Sequence, residues 1–467
     1  MRQFCLITLF FCLSSIPSHA QPSPDTLWTR TYGGSGPDIA WSVQRTADGG
    51  YVVAGETNSF GAGYRDFYVV KTNGQGDPLW TRTYGGIFYD RAYSVQQTID
   101  GGYVLAGRTS SFGAGMYDFY VVKTSPLGDT LWTRTFGGSN DDYGYCIRQT
   151  TDAGYIVAGL TWSFGAGYAD FYLVKTNSQG DTLWTRTYGG SGIDEASSVQ
   201  QTTDGGYIVA GYTWSFGAGN YDFYLVKTNS QCDALWTRTY GGSSEDRAQS
   251  VQQTADGGYV VTGYTGSFGA GLNDFYLVKT NSQGDTLWTR TYGGSDEERA
   301  QAVQQTADGG YVVAGYTGSF GAGSLDLYVV KTDSQGDTLW TRTYGGSGDD
   351  RAYCVQQTTD GAYIVAGYTY SFGAGLSDFY LVKTGQEKPY HLVVNLDDSG
   401  TNAILHWMAP QTCDYNIYST TDMSAQEPPM GWTFEETLYD IPAGLAEWTD
   451  PTGIVDYKRY AVTMSCP

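Results

Sequence analysis

The chain has 467 residues, of which 15% are aromatic, 16% are charged and 64 are glycine. So many Tyr, Trp and Val can bury a large core, which excludes a disordered chain. A formal net charge of −22 argues against phosphate backbones and anionic lipid as partners, leaving cations, basic proteins and neutral glycans.

Residues 1–20 read as a secretory signal peptide. Arg2 supplies a positive start, Phe4 to Ile16 a short apolar stretch, and Ser18-His19-Ala20 a small-x-small site cleaved after Ala20. No later stretch is apolar for the length a membrane span requires. The expected location is extracellular or periplasmic. Removing Cys5 and Cys12 leaves five cysteines. Cys146 and Cys354 replace a small residue at one repeat position in repeats that are not neighbours, Cys232 replaces a turn Gly, and all three are expected to be free.

From residue 27 a repeat takes over. Trp recurs at 28, 80, 132, 184, 236, 288 and 340, always 52 residues apart. Each unit holds four β patterns: LWTRTY, AYSVQQT, GYVVAGYT and DFYLVKT. They are separated by Gly-Gly, Asp-Gly-Gly, SFGAG and NSQGD turns. Four strands per unit and seven units predict a seven-bladed β-propeller over residues 27–384. The most continuously apolar run, GYVVAG, is expected innermost, followed outward by DFYLVKT, LWTRTY and SVQQT. On that order two N-terminal strands, Leu27 to Thr46, complete a blade with the two strands of Ala362 to Thr384 and close the ring.

The segments KTNSQGDTLWTRTYGG and SVQQTxDGGYVVAGYT resemble the secreted bacterial β-propeller repeat, a relative of the quinoprotein-like blade. The resemblance implies the propeller fold. It implies no activity, because propellers host unrelated functions. Residues 385–390 read as a linker. Residues 391–467 alternate as six short strands, and LHW…YNIYSTTD…W…YAVT resembles a fibronectin type III-like β-sandwich. That resemblance sets the strand of Tyr415–Tyr418 antiparallel to that of Tyr460–Met464. Cys413 and Cys466 would then lie at one end of the pair as a candidate disulfide in an exported protein.

The chain has three histidines, His19, His391 and His406, none of them inside the repeats. The propeller therefore offers no Ser-His-Asp or Cys-His pair and no His-ligated metal. Carboxylates recur in register in all seven units, and a group present seven times reads as structural. The sets beginning at Asp38, Asp48 and Asp66 are expected to serve as turn and blade-to-blade links, the Asp before Gly-Gly capping a tight turn, with the Arg30 and Lys71 positions pairing to such carboxylates. The Trp28 set is expected to pack between blades.

Function is sought where repeats differ. The QTxDGG and NSQGDT turns barely change and share one face of the disk. The segments after LWTRTYGG and around SFGAG change most and share the other. Frame TxSFGAG carries Trp162, Trp214 and Tyr370 at its variable position, with Tyr168 and Tyr221 just beyond. Asp142, Asp194, Glu195, Asp246, Glu298 and Asp350 read as an acidic rim able to hold Ca²⁺; no other cofactor is expected. An aromatic, acidic face suits a glycan or a protein partner. The leading expectation is an exported, monomeric, non-catalytic binding or scaffold protein. The alternatives are a carboxylate-dependent polysaccharide hydrolase or lyase, and an architectural envelope protein with no specific ligand.

Overall fold

The computed structural model describes residues 23–386 and, beyond them, the backbone of six strands between 390 and 465. The expected signal peptide and the expected Cys413–Cys466 pairing lie outside the described residues. The chain opens with β1 (Thr26–Tyr32), then β2 (Asp38–Arg45), β3 (Tyr51–Thr57), β4 (Asp66–Thr72) and β5 (Pro78–Tyr84). Strands β2 to β5 form one antiparallel sheet in that order. The pattern recurs from β6 (Asp90–Gln97) to β25 (Thr338–Tyr344), giving blades 1 to 6. Blade 7 is built from β26 (Asp350–Gln357), β27 (Tyr363–Thr369), β28 (Asp378–Thr384) and the returning β1. The result is an all-β, seven-bladed propeller with four-stranded blades.

The radial order differs from the expected one. The SVQQ strand is innermost: β2 lies against β26 and β6, and the same strand of every blade touches both neighbours around the axis. GYVVAG is second, DFYLVKT third and LWTRTY outermost. Continuous apolarity marks a strand covered on both faces by adjoining blades, not proximity to the axis. Accordingly β3 and β4 are buried at every residue, whereas β5 is exposed or half-buried everywhere but at Tyr84. The polar Ser and Gln of β2 face a channel. Ring closure is corrected for the same reason. β1 alone pairs with β28, from Tyr32 opposite Phe379 to Thr26 opposite Thr384, and β2 belongs to blade 1.

Sevenfold contacts hold the blades. Trp28 meets Tyr51 of the next blade edge-on, ring centres 6.0 Å apart, and Trp80 meets Tyr103 in the same way. These contacts bear out the packing role of the Trp set. The buried Lys71 ammonium donates to Asp48 at 2.8 Å. Arg30 reaches Asp77 at 3.4 Å, a carboxylate outside the three sets singled out in the sequence. The SFGAG turn joins second and third strands. Asp66 Oδ2 accepts from the Ala62 and Gly63 amides, and Gly61 (φ +103°) packs so close that a Cβ there would lie 2.1 Å from that oxygen. Cys146, Cys232 and Cys354 are free.

After the propeller come β29 (Tyr390–Leu396), β30 (Ala403–Ala409), β31 (Cys413–Thr420), β32 (Thr433–Ile441), β33 (Gly444–Thr449) and β34 (Arg459–Ser465). They form two three-stranded sheets, β29-β30-β33 and β32-β31-β34. β31 and β34 are antiparallel, with Asp414 opposite Ser465.

Candidate functional site

Every innermost strand carries a bulge at the same place. In blade 1 Ala40 pairs with Gly55 and Ser42 with Ala54, so Trp41 is the extra residue. The counterparts are Tyr93, Tyr145, Ser197, Gln249, Gln301 and Tyr353. A bulge re-aims one side chain out of the pleat. Seven bulges around one axis aim seven side chains at a common cavity of about 310 Å³, whose wall Glu195 completes. The cavity is one-sided. Trp41 lies 4.2 Å from Tyr353 and 5.4 Å from Tyr93, and Tyr93 lies 5.0 Å from Tyr145, all between ring centres. That aromatic arc crosses blades 7, 1, 2 and 3. Ser197, Gln249 and Gln301 face it from blades 4, 5 and 6. Trp41 Nε1 and Ser197 Oγ are buried with no hydrogen-bond partner among the described residues.

Just beyond the bulge, nearer the variable face, each blade presents a cross-strand pair. Blades 5, 6 and 7 have Arg247 opposite Tyr264, Arg299 opposite Tyr316 and Arg351 opposite Tyr368. Each arginine lies over a tyrosine of the preceding blade: Arg247 over Tyr212 at 4.4 Å, Arg299 over Tyr264 at 4.5 Å and Arg351 over Tyr316 at 4.7 Å. Each also pairs with the carboxylate two residues earlier: Glu245 at 2.7 Å, Glu297 at 2.5 Å and Asp349 at 3.4 Å.

Blades 1 to 4 depart from that ladder. Glu56 stands opposite Ile39, Arg108 opposite Arg91, Leu160 opposite Tyr143 and Tyr212 opposite Glu195. Glu56 is buried between Arg65, at 2.6 Å, and Arg91. Burial pushes its pKa up, against the pull of Arg91, Arg65 and Arg108. Arg108 lies 4.7 Å from the Tyr117 ring centre and 4.4 Å from that of Tyr143. Glu195 sits deep beside the cavity and accepts from the Tyr212 hydroxyl at 2.7 Å. Burial drives its carboxyl up to about 7, outweighing Tyr212, Arg247 and Arg108.

The aromatic residues singled out from the sequence lie on the variable face. Trp162 is 36% exposed, Trp214 54%, Tyr370 50% and Tyr168 74%; Tyr221 is half-buried. Four of them pack inside their own blades: Trp162 on Tyr143, Trp214 on Tyr221 and Tyr370 on Tyr368, at 5.4, 5.9 and 5.6 Å. The acidic rim is corrected. Asp142, Asp194, Asp246, Glu298 and Asp350 are all 0% exposed. Asp142 Oδ2 accepts from the Gly138 amide and from Ser163 Oγ, each at 2.8 Å, and so ties two loops together. Of the six, Glu195 borders the bulge-ring cavity. The described residues contain no cluster of three or more His, Cys, Asp or Glu arranged for a metal ion. The bulge column was overlooked in the sequence, although its signal was there: Trp, Tyr, Tyr, Ser, Gln, Gln, Tyr beside a neighbouring column that is nearly always Ala.

No family model matches the chain. The regulatory protein FlaEY of Caulobacter vibrioides is 25% identical over 323 residues, covering 55% of this chain and 33% of that protein. The chain thus spans about a third of the length of this curated relative. Among solved structures, puromycin hydrolase superposes with a TM-score of 0.46 at 11% identity, over 84% of this chain and 62% of that one. Sqt1 from Chaetomium thermophilum gives 0.43 at 10% identity, over 82% and 96%. An ancestral GH74 enzyme gives 0.43 at 13%, over 87% and 52%. These are likenesses of fold between proteins of different activities. The seven-bladed architecture rests on the strand pairings themselves.

Proposed function

We propose that the protein is an exported, non-catalytic recognition protein whose propeller binds a glycan at the axial mouth of its variable face. The observation that carries this reading is the bulge ring. Seven copies of one backbone device point into one cavity, and their side chains sort into an aromatic arc facing amides, a hydroxyl and a carboxylate. Aromatic faces stack on the C–H faces of a sugar ring, while amide and carboxylate groups take its hydroxyls. Trp162 and Trp214 extend the apolar surface outward on blades 3 and 4. The absence of histidine from the repeats supports binding without turnover, and the regulatory role in the name of the Caulobacter relative accords with it. The tail serves as a fibronectin type III-like spacer.

The test is a glycan array probed with the mature chain, with and without Ca²⁺. At least one glycan should be retained. Retention should fall tenfold or more in a Trp162→Ala, Trp214→Ala double variant that keeps the wild-type melting temperature. No retained glycan, or retention indifferent to these changes and to Tyr93→Ala, refutes the reading. A carboxylate-dependent hydrolase or lyase is the second reading. It is favoured by Glu195, whose pKa near neutrality suits proton transfer. Under that reading Glu195→Gln abolishes release of reducing ends from the retained polysaccharide while leaving its retention intact.

A further inference from the structure

A second axial cavity, of about 480 Å³, lies below the bulge ring toward the invariant face. Its wall carries Gln44, Gln96, Gln200, Gln252, Gln304 and Gln356, one from each blade except blade 3. In six of the seven blade junctions the glutamine side-chain oxygen accepts a backbone N–H from the next blade, at 2.5 to 2.7 Å. That bond fixes the amide orientation, because only the oxygen can accept from an N–H. The six amide NH₂ groups therefore have no choice of face. None has a protein acceptor among the described residues, and none is sealed from the cavity.

Blade 3 breaks the ring with Arg148, the one charged side chain on the wall. Its guanidinium donates to the Ile147 carbonyl at 2.8 Å and to Ser94 Oγ at 3.3 Å, and no carboxylate lies within ion-pairing distance among the described residues. The exchange costs a hydrogen bond: the Gln201 N–H lacks the side-chain acceptor that its six counterparts have. The wall thus holds amide donors whose oxygens are already engaged, plus one unpaired cation. Such a wall complements an acceptor-only guest bearing negative charge.

We propose that this lower cavity binds a small oxyanion, held by Arg148 and by amide N–H groups of the glutamine ring. Sulfate, phosphate and a sugar carboxylate share the required chemistry. The site is independent of the glycan site on the variable face.

Isothermal titration of the mature chain with sodium sulfate, and separately with sodium glucuronate, tests this at an ionic strength held constant with choline chloride. One anion should bind per chain. Arg148→Gln restores the residue of the other six repeats and returns an acceptor to Gln201, so the melting temperature should hold or rise while affinity falls tenfold or more. Gln304→Glu keeps an oxygen for the Gln357 N–H but places a carboxylate in the cavity, and should also remove binding. Loss confined to sulfate identifies an inorganic guest; loss for glucuronate as well identifies a site open to acidic sugars. Failure of both anions to bind the wild-type chain, or binding unchanged in both variants, overturns the proposal.

Discussion

Blades 5 to 7 and blades 1 to 4 solve the same packing problem with different residues at the axial mouth. In the first group each arginine covers a tyrosine of the preceding blade and neutralises a neighbouring carboxylate, so three blades need one solution. In the second group four blades use four different pairs, among them a buried carboxylate between two arginines and another held near neutrality. The ladder shows what the fold is content with. The departures are not required by the fold, and they gather on the side where the aromatic arc and both exposed tryptophans lie.

The largest effect comes from breaking both groups at once. Deleting residues 26–32 removes the outer strand of blade 7 and bares the β28 edge. The expected outcome in a thermal scan is a melting temperature lowered by more than about 10 °C, or an aggregated chain. Next in size is a paired substitution that sharpens the comparison directly. Glu56→Gln leaves Arg65 and Arg91 without their buried partner, and urea unfolding should show a loss of about 3–5 kcal/mol. Glu297→Gln, in the regular group and one-third exposed, should cost less than about 1 kcal/mol.

Glu195 gives the irregular group a pH signature. Its pKa in the folded state is about 7, above the unfolded value of about 4.3. Between these values the native chain holds a proton that the unfolded chain has released. This contribution to stability is therefore full below about pH 4, declines as pH rises toward 7 and is flat above. Denaturation at pH 5 and pH 8 should show a smaller difference in Glu195→Gln than in the wild type. A last, small effect concerns a departure with no role in the mouth. Cys232 sits at φ +64°, where Gly76, Gly180 and Gly284 adopt about +80°. A Cβ at Gly180 would press on Trp132 at 2.8 Å. The same crowding in blade 4 accompanies the loss of the outer Arg–Asp pair, present at Arg134 and Asp181 but not at Arg186. Cys232→Gly should raise stability by about 1 kcal/mol in urea unfolding.

The repeat length, the strands, the blade number and the sorting of loops onto two faces were legible, because a 52-residue period leaves little freedom in where turns fall. Radial order was not. GYVVAG was read as axial from its apolarity, but apolarity reports neighbours on both faces, and in a propeller the middle of a blade has those. The acidic rim failed for a related reason. Asp142 and its counterparts belong to a sevenfold set that also reads as structural, and they serve to tie loops together. The bulge column went unseen because a bulge is a matter of pairing register, which a sequence shows only after the partner strand is known. Arg148 was equally hidden: its meaning depends on six glutamines that never approach it along the chain.

The single-strand clasp also orders events in time. β1 is made before every other strand of the propeller, yet its partner β28 is the last of them. Until residue 384 has been synthesised, six finished blades can stack while β1 stays open and β28 has no cover. The final step joins residues more than three hundred positions apart, a long-range closure of the kind that slows folding. In the finished ring, a pull on either end of the propeller loads the same row of β1–β28 hydrogen bonds. The clasp is thus both the last part of the propeller to form and the first to bear tension.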